Sequence, residues 1–243
     1  QGKIMLNIAA GTSSYTINNS LRFRSSASAY LSRTFAGAGT NDKIGTLSFW
    51  TKRGILGSSN GRIAEGLRSG AAWQSVIDFY GSADQLRFGF GGSSEYRVQT
   101  TQVFRDPSAW YHILIAWDTT QATASNRIMM YVNGVQVTSF STANYPAQNS
   151  QVGLFNSSNI AKIGSDNNGT GSFYDGYFSE FNFIDGQQLT PSSFGNINPV
   201  TGVWQPVKYS GTYGTNGFYL KFSDIATTSG SNAGLGKDFS GNG

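Results

Sequence analysis

The sequence contains no cysteine and a single histidine, and only 12% of its residues are charged. The absence of cysteine excludes disulfides, thiolate metal sites and thiol nucleophiles. A serine-hydrolase triad would depend on His112, the single histidine. In most globular proteins about a quarter of the residues are charged. Because this chain has only half that fraction, we expect its solubility to depend on Ser, Thr, Asn, Gln and Gly.

Long apolar runs are also absent, and no stretch approaches the length of a transmembrane segment. Residues 1–6 lack the apolar centre of a signal peptide. The formal net charge of +4 comes from dispersed basic residues, with Lys52-Arg53 as the only adjacent pair. A polyanionic glycan would be attracted weakly, but we favour ordinary solvated surface charge. Nucleic acid binding needs a clustered basic stripe, so we expect neither nucleic acid nor membrane as a partner.

What the chain has in abundance, 31 glycines and 14% aromatic residues, is typical of short strands joined by tight turns. Val76–Tyr80 and Leu86–Phe90 flank a Gly-Ser-Ala-Asp turn, which predicts a hairpin. Asn133-Gly134 separates two alternating runs and predicts a type I′ hairpin that pairs Val132 with Val135. The chain therefore favours antiparallel β-structure.

Aromatic residues inside predicted strands are expected in the core. Trp110–Trp117 is apolar on both faces, as in a central strand covered on each side. We expect Trp50, Trp110 and Trp117 to be buried for this reason. His112 lies in the same strand, and core packing is favoured over a role as general base or metal ligand.

The segment Phe173–Gly195 is the most informative part of the chain. Strict alternation predicts one strand with Tyr177, Ser179, Phe181 and Phe183 on one face and Phe178, Glu180, Asn182 and Ile184 on the other. Asp185-Gly186 ends this strand, and Thr190-Pro191 begins one short helical turn. No other helix has start and stop signals.

This segment resembles the last core strand of LamG-like domains in the concanavalin A-like family. The order of Trp110–Thr120, the Asn133-Gly134 hairpin and Ile160–Gly164 resembles the same family, and the combined similarity covers roughly residues 15–195. The stretch FNFIDGQQLTPSSFG is similar to a version found in structural proteins of tailed bacteriophages. Val203–Phe222 resembles the segment that follows the sandwich in those phage proteins.

The resemblance implies an all-β fold, a single concanavalin A-like (LamG-like) antiparallel jelly-roll β-sandwich over residues 15–195. Residues 1–14 would form an N-terminal segment or linker. Residues 196–243 would form an extension rich in Gly, Ser, Thr and Asn, with one strand near 218–222, that continues into a longer protein. Whether this extension packs on the sandwich stays open at this point.

Candidate metal ligands are Asp166, Asn168 and Asp175, because Ca²⁺ prefers carboxylate and amide oxygens. Some LamG-like domains hold Ca²⁺ at the rim of the sandwich, which makes it the one candidate cofactor. The alternative is a polar turn, and we favour it, so that no cofactor is expected.

Candidate carbohydrate-binding residues are the aromatic side chains in or beside predicted loops, Trp73, Tyr96, Tyr145 and Tyr174. Sugar binding needs exposed aromatic platforms with planar polar groups. For any one of them, covering a strand end or meeting a neighbouring subunit is the favoured alternative. A glycosidase would need paired carboxylates, and none of the 13 acidic residues lies two positions from another. Enzyme activity is therefore not expected.

The resemblance implies a non-enzymatic module of a bacteriophage virion, in a tail fibre, spike or capsid-attached fibre, that serves glycan adhesion or particle assembly. Its partners would be a host cell-surface glycan, other virion proteins and further copies of the chain. Two alternatives remain open. One is a purely structural domain that decorates or joins virion parts, and the other is a polysaccharide-degrading enzyme of the concanavalin A-like class.

Overall fold

The computed structural model describes residues 15–57, 60–67, 74–91, 96–155, 160–226 and 234–242. In this part of the chain, the strands form two seven-stranded antiparallel sheets and one two-stranded ribbon. The first sheet has the order β1-β13-β3-β8-β9-β10, and β16 also pairs with β13. Its strands are β1 (Leu21–Phe23), β3 (Ile44–Arg53), β8 (Tyr111–Asp118), β9 (Ile128–Val132), β10 (Val135–Gln136), β13 (Gly176–Asp185) and β16 (Phe218–Leu220).

The second sheet has the order β11-β7-β6-β5-β4-β12-β2. Its strands are β2 (Leu31–Thr34), β4 (Asn60–Leu67), β5 (Gln74–Tyr80), β6 (Gln85–Gly91), β7 (Tyr96–Val103), β11 (Phe140–Asn144) and β12 (Ile160–Ile163). The ribbon consists of β14 (Gly195–Ile197) and β15 (Trp204–Pro206). Short 3₁₀ turns span Ser25–Ala27, Gly81–Ala83, Ala124–Asn126 and Pro191–Ser193. None of the helices described is long and apolar enough to cross a membrane.

The main core lies between the two sheets and is built largely from aromatic rings. Phe49 of β3 stacks on Phe181 of β13, with ring centroids 5.1 Å apart, and Trp117 of β8 packs against Phe88 of β6. Burial of such rings is the dominant favourable contribution to folding. The prediction of an all-β, concanavalin A-like sandwich is confirmed.

Local signals located most elements correctly. β5 and β6 form the predicted hairpin, and β9 pairs with β10 through Val132 and Val135. Asn133 and Gly134 both have positive φ, at 48° and 80°, as a type I′ turn requires. β8 lies between β3 and β9 and is buried on both faces, as predicted for a central strand.

The strict alternation predicted for β13 is wrong. The pairing of β13 with β3 shifts register between Ser179 and Asn182, and Glu180 adopts a φ of 48°. This β-bulge inserts an extra residue and reverses the alternation. Phe178 consequently joins Phe181 and Phe183 in the core between the sheets, instead of lying on the opposite face.

The C-terminal extension packs on the sandwich, which answers the question that the sequence left open. Strand β16 pairs with β13 on the edge that β1 leaves free. Phe194 and Tyr209 lie on the outer face of the first sheet. There they form a second hydrophobic cluster with residues from β8, β9 and β13, namely Leu114, Ala116, Tyr131 and Ile184.

Candidate functional site

An aromatic strip lies on the part of the first sheet's outer face that the extension leaves uncovered. We define this strip as Trp50, Trp110 and Tyr177. In the strand register Trp50 stands opposite His112, and Lys52 opposite Tyr177. The ring of Trp110 lies 6.2 Å from that of Tyr177. Exposed aromatic rings grouped on one face are the platforms on which sugar rings stack.

The strip corrects the expectation that all three strand tryptophans are buried. Trp117 is fully buried, but Trp110 is 37% exposed and Trp50 is half-buried. Trp50 and Lys52 alternate along β3 with the buried Phe49 and Thr51, so both point away from the main core. The alternation of a lysine with the core residues was the signal in the sequence that Trp50 points away from the main core.

A small polar pocket adjoins the strip and shares Trp50 with it. The pocket has room for about one water molecule. It is lined by Tyr15, Ser48, Trp50, His112, Glu180, Asn182, Phe194, Pro206 and Val207. Glu180 reaches this pocket because the β-bulge redirects its side chain, a known use of bulges beside functional sites.

A chain of hydrogen bonds fixes the protonation of His112 beneath this pocket. The indole Nε1–H of Trp204 donates to Nδ1 of His112 at 3.0 Å. Burial lowers the pKa of His112 to about 3, so the ring is neutral and carries its proton on Nε2. Nε2 then donates to the Ser48 hydroxyl, 2.9 Å away. His112 therefore cannot act as a base toward Ser48, which removes a Ser-His nucleophile.

Glu180 is held by two phenols. Its Oε2 accepts hydrogen bonds of 2.6 Å from the hydroxyls of Tyr15 and Tyr219. Burial, together with the hydrogen bond to Glu180, raises the pKa of Tyr15 to about 12. These contacts tie Tyr15 and strand β16 to the bulge in β13.

The extension builds one wall of the pocket as well as its hydrogen-bond chain. The ring of Trp204 packs against Gly134 and Gly195 so closely that a Cβ at either glycine would overlap it. Gly134 also has positive φ, so the turn and the packing of Trp204 both require glycine. Pro206 and Val207 then line the pocket beside Trp50.

A laminin G-type model of the concanavalin A-like lectin/glucanases superfamily matches residues 13–193. The chain belongs to this superfamily. No curated protein is similar enough to give a match.

Several solved structures of this kind are similar. A heptameric SAP-like pentraxin from Limulus polyphemus is 16% identical, with 73% of this chain and 85% of the pentraxin covered and a TM-score of 0.48. Domain 4 of an extracellular arabinanase from Geobacillus stearothermophilus, solved in complex with arabinotriose, is 18% identical, with 63% and 65% covered and a TM-score of 0.46. Domains LG4-5 of the mouse laminin α1 chain are 13% identical, with 83% and 48% covered and a TM-score of 0.48.

Within this superfamily domain, the four predicted sugar-binding aromatics differ in their surroundings. Tyr174 is fully buried, and its hydroxyl bonds to Thr51 at 2.6 Å, so the prediction of a solvent-facing platform needs correction there. Tyr96 and Tyr145 are partly buried against the main core. Trp73 lies outside the described residues. Aromatic rings beside the edge of a sandwich pack against its core because this buries more of their apolar surface.

The predicted metal ligands are occupied by other contacts. Asp175 accepts hydrogen bonds from the Arg22 guanidinium at 2.6 Å and from the Ser25 backbone and hydroxyl, both at 3.0 Å. Burial would raise the pKa of Asp175, but these bonds outweigh it and the pKa lies below its usual value. Asp166 accepts from the backbone of Thr170. The described residues contain no group of three or more His, Cys, Asp or Glu that could hold a metal ion. Asp166, Asn168 and Asp175 stay candidate Ca²⁺ ligands.

The outer face of the second sheet carries a charged network across three strands. Arg62 and Arg87 stand on either side of Asp78 in the register, and both guanidinium groups bond its carboxylate at 2.6–2.9 Å. Arg62 also lies 2.8 Å from Glu65. Burial raises the pKa of Glu65 despite the nearby Arg62. Sequence reasoning missed this network because its members come from separate strands.

Proposed function

We propose that this domain is a non-enzymatic glycan-adhesion module, and that the aromatic strip with its adjoining pocket is the binding surface. The observation that carries the proposal is the exposure of Trp110 beside Tyr177 and Trp50 on an uncovered sheet face. A soluble domain seldom leaves grouped aromatic rings in water without a ligand or partner for them.

The pocket supports the choice of a sugar over a purely apolar partner. Ser48 and Glu180 converge there next to Trp50, which combines hydrogen-bonding groups with a ring. Sugars present both an apolar C–H face and a dense set of hydroxyls, so sites for them need both features.

The non-enzymatic part of the proposal is supported by how the carboxylates are used. Glu65 and Asp78 are two acidic residues that the structure brings together, because Arg62 bonds both carboxylates. Both oxygens of Asp78 are engaged by arginines. A base or nucleophile needs a carboxylate oxygen directed at substrate or water. Assay of the protein for release of reducing ends from polysaccharides is therefore expected to show no activity.

The virion setting is supported by the sequence resemblances of Phe173–Gly195 and Val203–Phe222 to tailed-bacteriophage structural proteins. In such a setting the module would project from a tail fibre, a spike or a capsid-attached fibre toward a host cell-surface glycan. A domain that only decorates or joins virion parts would bury the strip against another chain instead.

A glycan array compares the wild-type protein with W110A. We expect the wild type to bind one group of glycans and W110A to lose roughly two- to tenfold in affinity, since stacking on one ring contributes on the order of 0.5–1.5 kcal/mol. Y30A is the matched control, because Tyr30 is 41% exposed on the second sheet, away from the strip. Absence of binding by the wild type, or equal loss in Y30A, would contradict the proposal.

A further inference from the structure

The pocket offers a ligand one hydrogen-bond donor, the Ser48 hydroxyl, and one acceptor, Oε1 of Glu180. Because His112 donates to Ser48, the Ser48 hydroxyl proton is left to point elsewhere, and it has no acceptor among the described residues. Glu180 uses Oε2 for Tyr15 and Tyr219, and Oε1 has no hydrogen bond within the described part of the chain. Both groups line the same small pocket.

Of the hydroxyl, amino and carboxylate groups that sugars carry, only the hydroxyl matches this pair. A hydroxyl can accept the proton of Ser48 and donate its own to Glu180. An ammonium group cannot accept from Ser48, and a carboxylate would be repelled by Glu180 and could not donate to it. The fixed polarity therefore selects a neutral hydroxyl.

The size of the pocket limits which part of a sugar can reach Ser48 and Glu180. With room for about one water molecule, the pocket admits a single hydroxyl and excludes a sugar ring. A ring lying on Trp50 would place its exocyclic arm at the pocket mouth, since Trp50 belongs to both the strip and the pocket. In a hexose this arm is the hydroxymethyl group.

We propose that the pocket recognises the hydroxymethyl group of a neutral hexose unit, with Ser48 as donor and Glu180 as acceptor. This inference rests on the proposed function, because it assumes that a glycan lies on the strip. It makes Ser48 and Glu180 the residues that determine specificity. His112 and Trp204 are positioning residues that set the direction in which Ser48 donates.

The test uses matched pairs of oligosaccharides in gluco, manno and galacto configuration, one member a hexose and the other the corresponding uronic acid. Titration calorimetry with the wild type is expected to show at least about tenfold tighter binding of the hexose member in the configuration that binds. In E180Q the amide oxygen can still accept from Tyr15 and Tyr219 while the amide N–H₂ faces the pocket. The ratio of hexose affinity to uronic acid affinity should therefore fall by about tenfold or more.

D106N is the matched control, because it removes one negative charge from an exposed residue that interacts with Lys52 and leaves the pocket intact. Its hexose-to-uronate ratio should equal that of the wild type. S48A provides a second readout, with weaker hexose binding and no gain for the uronic acid. Equal binding of both members by the wild type, or an unchanged ratio in E180Q and S48A, overturns the inference. Absence of any glycan binding overturns the proposed function itself.

Discussion

The two outer faces of the sandwich use their polar groups in opposite ways. On the second sheet, Asp78 is fully buried and shared between Arg62 and Arg87, so the charges neutralise one another within the face. On the first sheet, Ser48 and Glu180 keep a donor and an acceptor turned toward a pocket beside aromatic rings. Charges that are paired within the protein hold neighbouring strands in register. Polar groups that can still form a further hydrogen bond are able to bind a ligand.

Asp78→Ala tests the structural side of this comparison and has the largest expected effect. Removal of the carboxylate leaves two largely buried guanidinium groups without their shared partner, which costs about 3–5 kcal/mol in the free energy of unfolding. Urea denaturation followed by tryptophan fluorescence measures this loss. D106N should lie within about 0.5 kcal/mol of the wild type, because Asp106 is exposed and the asparagine Oδ1 can still accept from Ser108. A small loss in D78A would mean that the network does not hold the second sheet together.

The sequence predicts elements whose signals are local. Asn133-Gly134 specifies its hairpin because both turn positions need positive φ. Pro191 marks the start of the short helical turn because its fixed φ suits a first helical position. The Trp110–Trp117 run indicates a central strand because it is apolar on both sides, and β8 confirms this.

The candidate site could not be predicted in the same way. Nothing in the residues around Glu180 marks a bulge, yet one extra residue decides which side chains face the core. Periodicity separates Trp50 from Phe49, but whether the face with Trp50 is covered depends on the path of the extension, more than 140 residues later in the chain. The fixed direction of the Ser48 hydroxyl depends likewise on Trp204.

Acid pH tests the claim that His112 is a neutral relay beneath the pocket. In the unfolded chain His112 takes up a proton below about pH 6.5, whereas in the folded protein it does so only near pH 3. The stability it contributes is therefore complete above pH 6.5 and falls by about 1.4 kcal/mol for each pH unit below it. Urea denaturation at pH 6.5 and 4.5 measures this slope.

H112Q is the comparison for this slope, since glutamine keeps an amide in the strand and does not titrate. Carboxylates such as Asp175 make the same contribution in both proteins, so the difference between the two slopes belongs to His112. We expect H112Q to lose less stability between pH 6.5 and 4.5 than the wild type. If the unfolding free energy fell equally with pH in both proteins, His112 would not be a buried, neutral imidazole.

Tyr15→Phe has the smallest expected effect and tests how Tyr15 is held beside the pocket. The variant loses the hydrogen bond to Glu180, worth about 1 kcal/mol, while Tyr219 still holds the carboxylate. The pKa of Tyr15 is about 12 when folded, against 10 in the unfolded chain. Its contribution to stability is thus complete below pH 10 and is lost as the pH rises toward 12. The difference in unfolding free energy between the wild type and Y15F should therefore become smaller above pH 10.

Y30F separates this effect from tyrosine ionisation in general, because Tyr30 is exposed on the second sheet. Any change with pH in the stability difference between Y30F and the wild type is subtracted from that measured for Y15F. If Y15F had the same stability as the wild type at every pH, Tyr15 would contribute nothing through Glu180. The bulge in β13 would then direct Glu180 into the pocket without help from Tyr15, and only the first sheet and the extension would be needed to build the site.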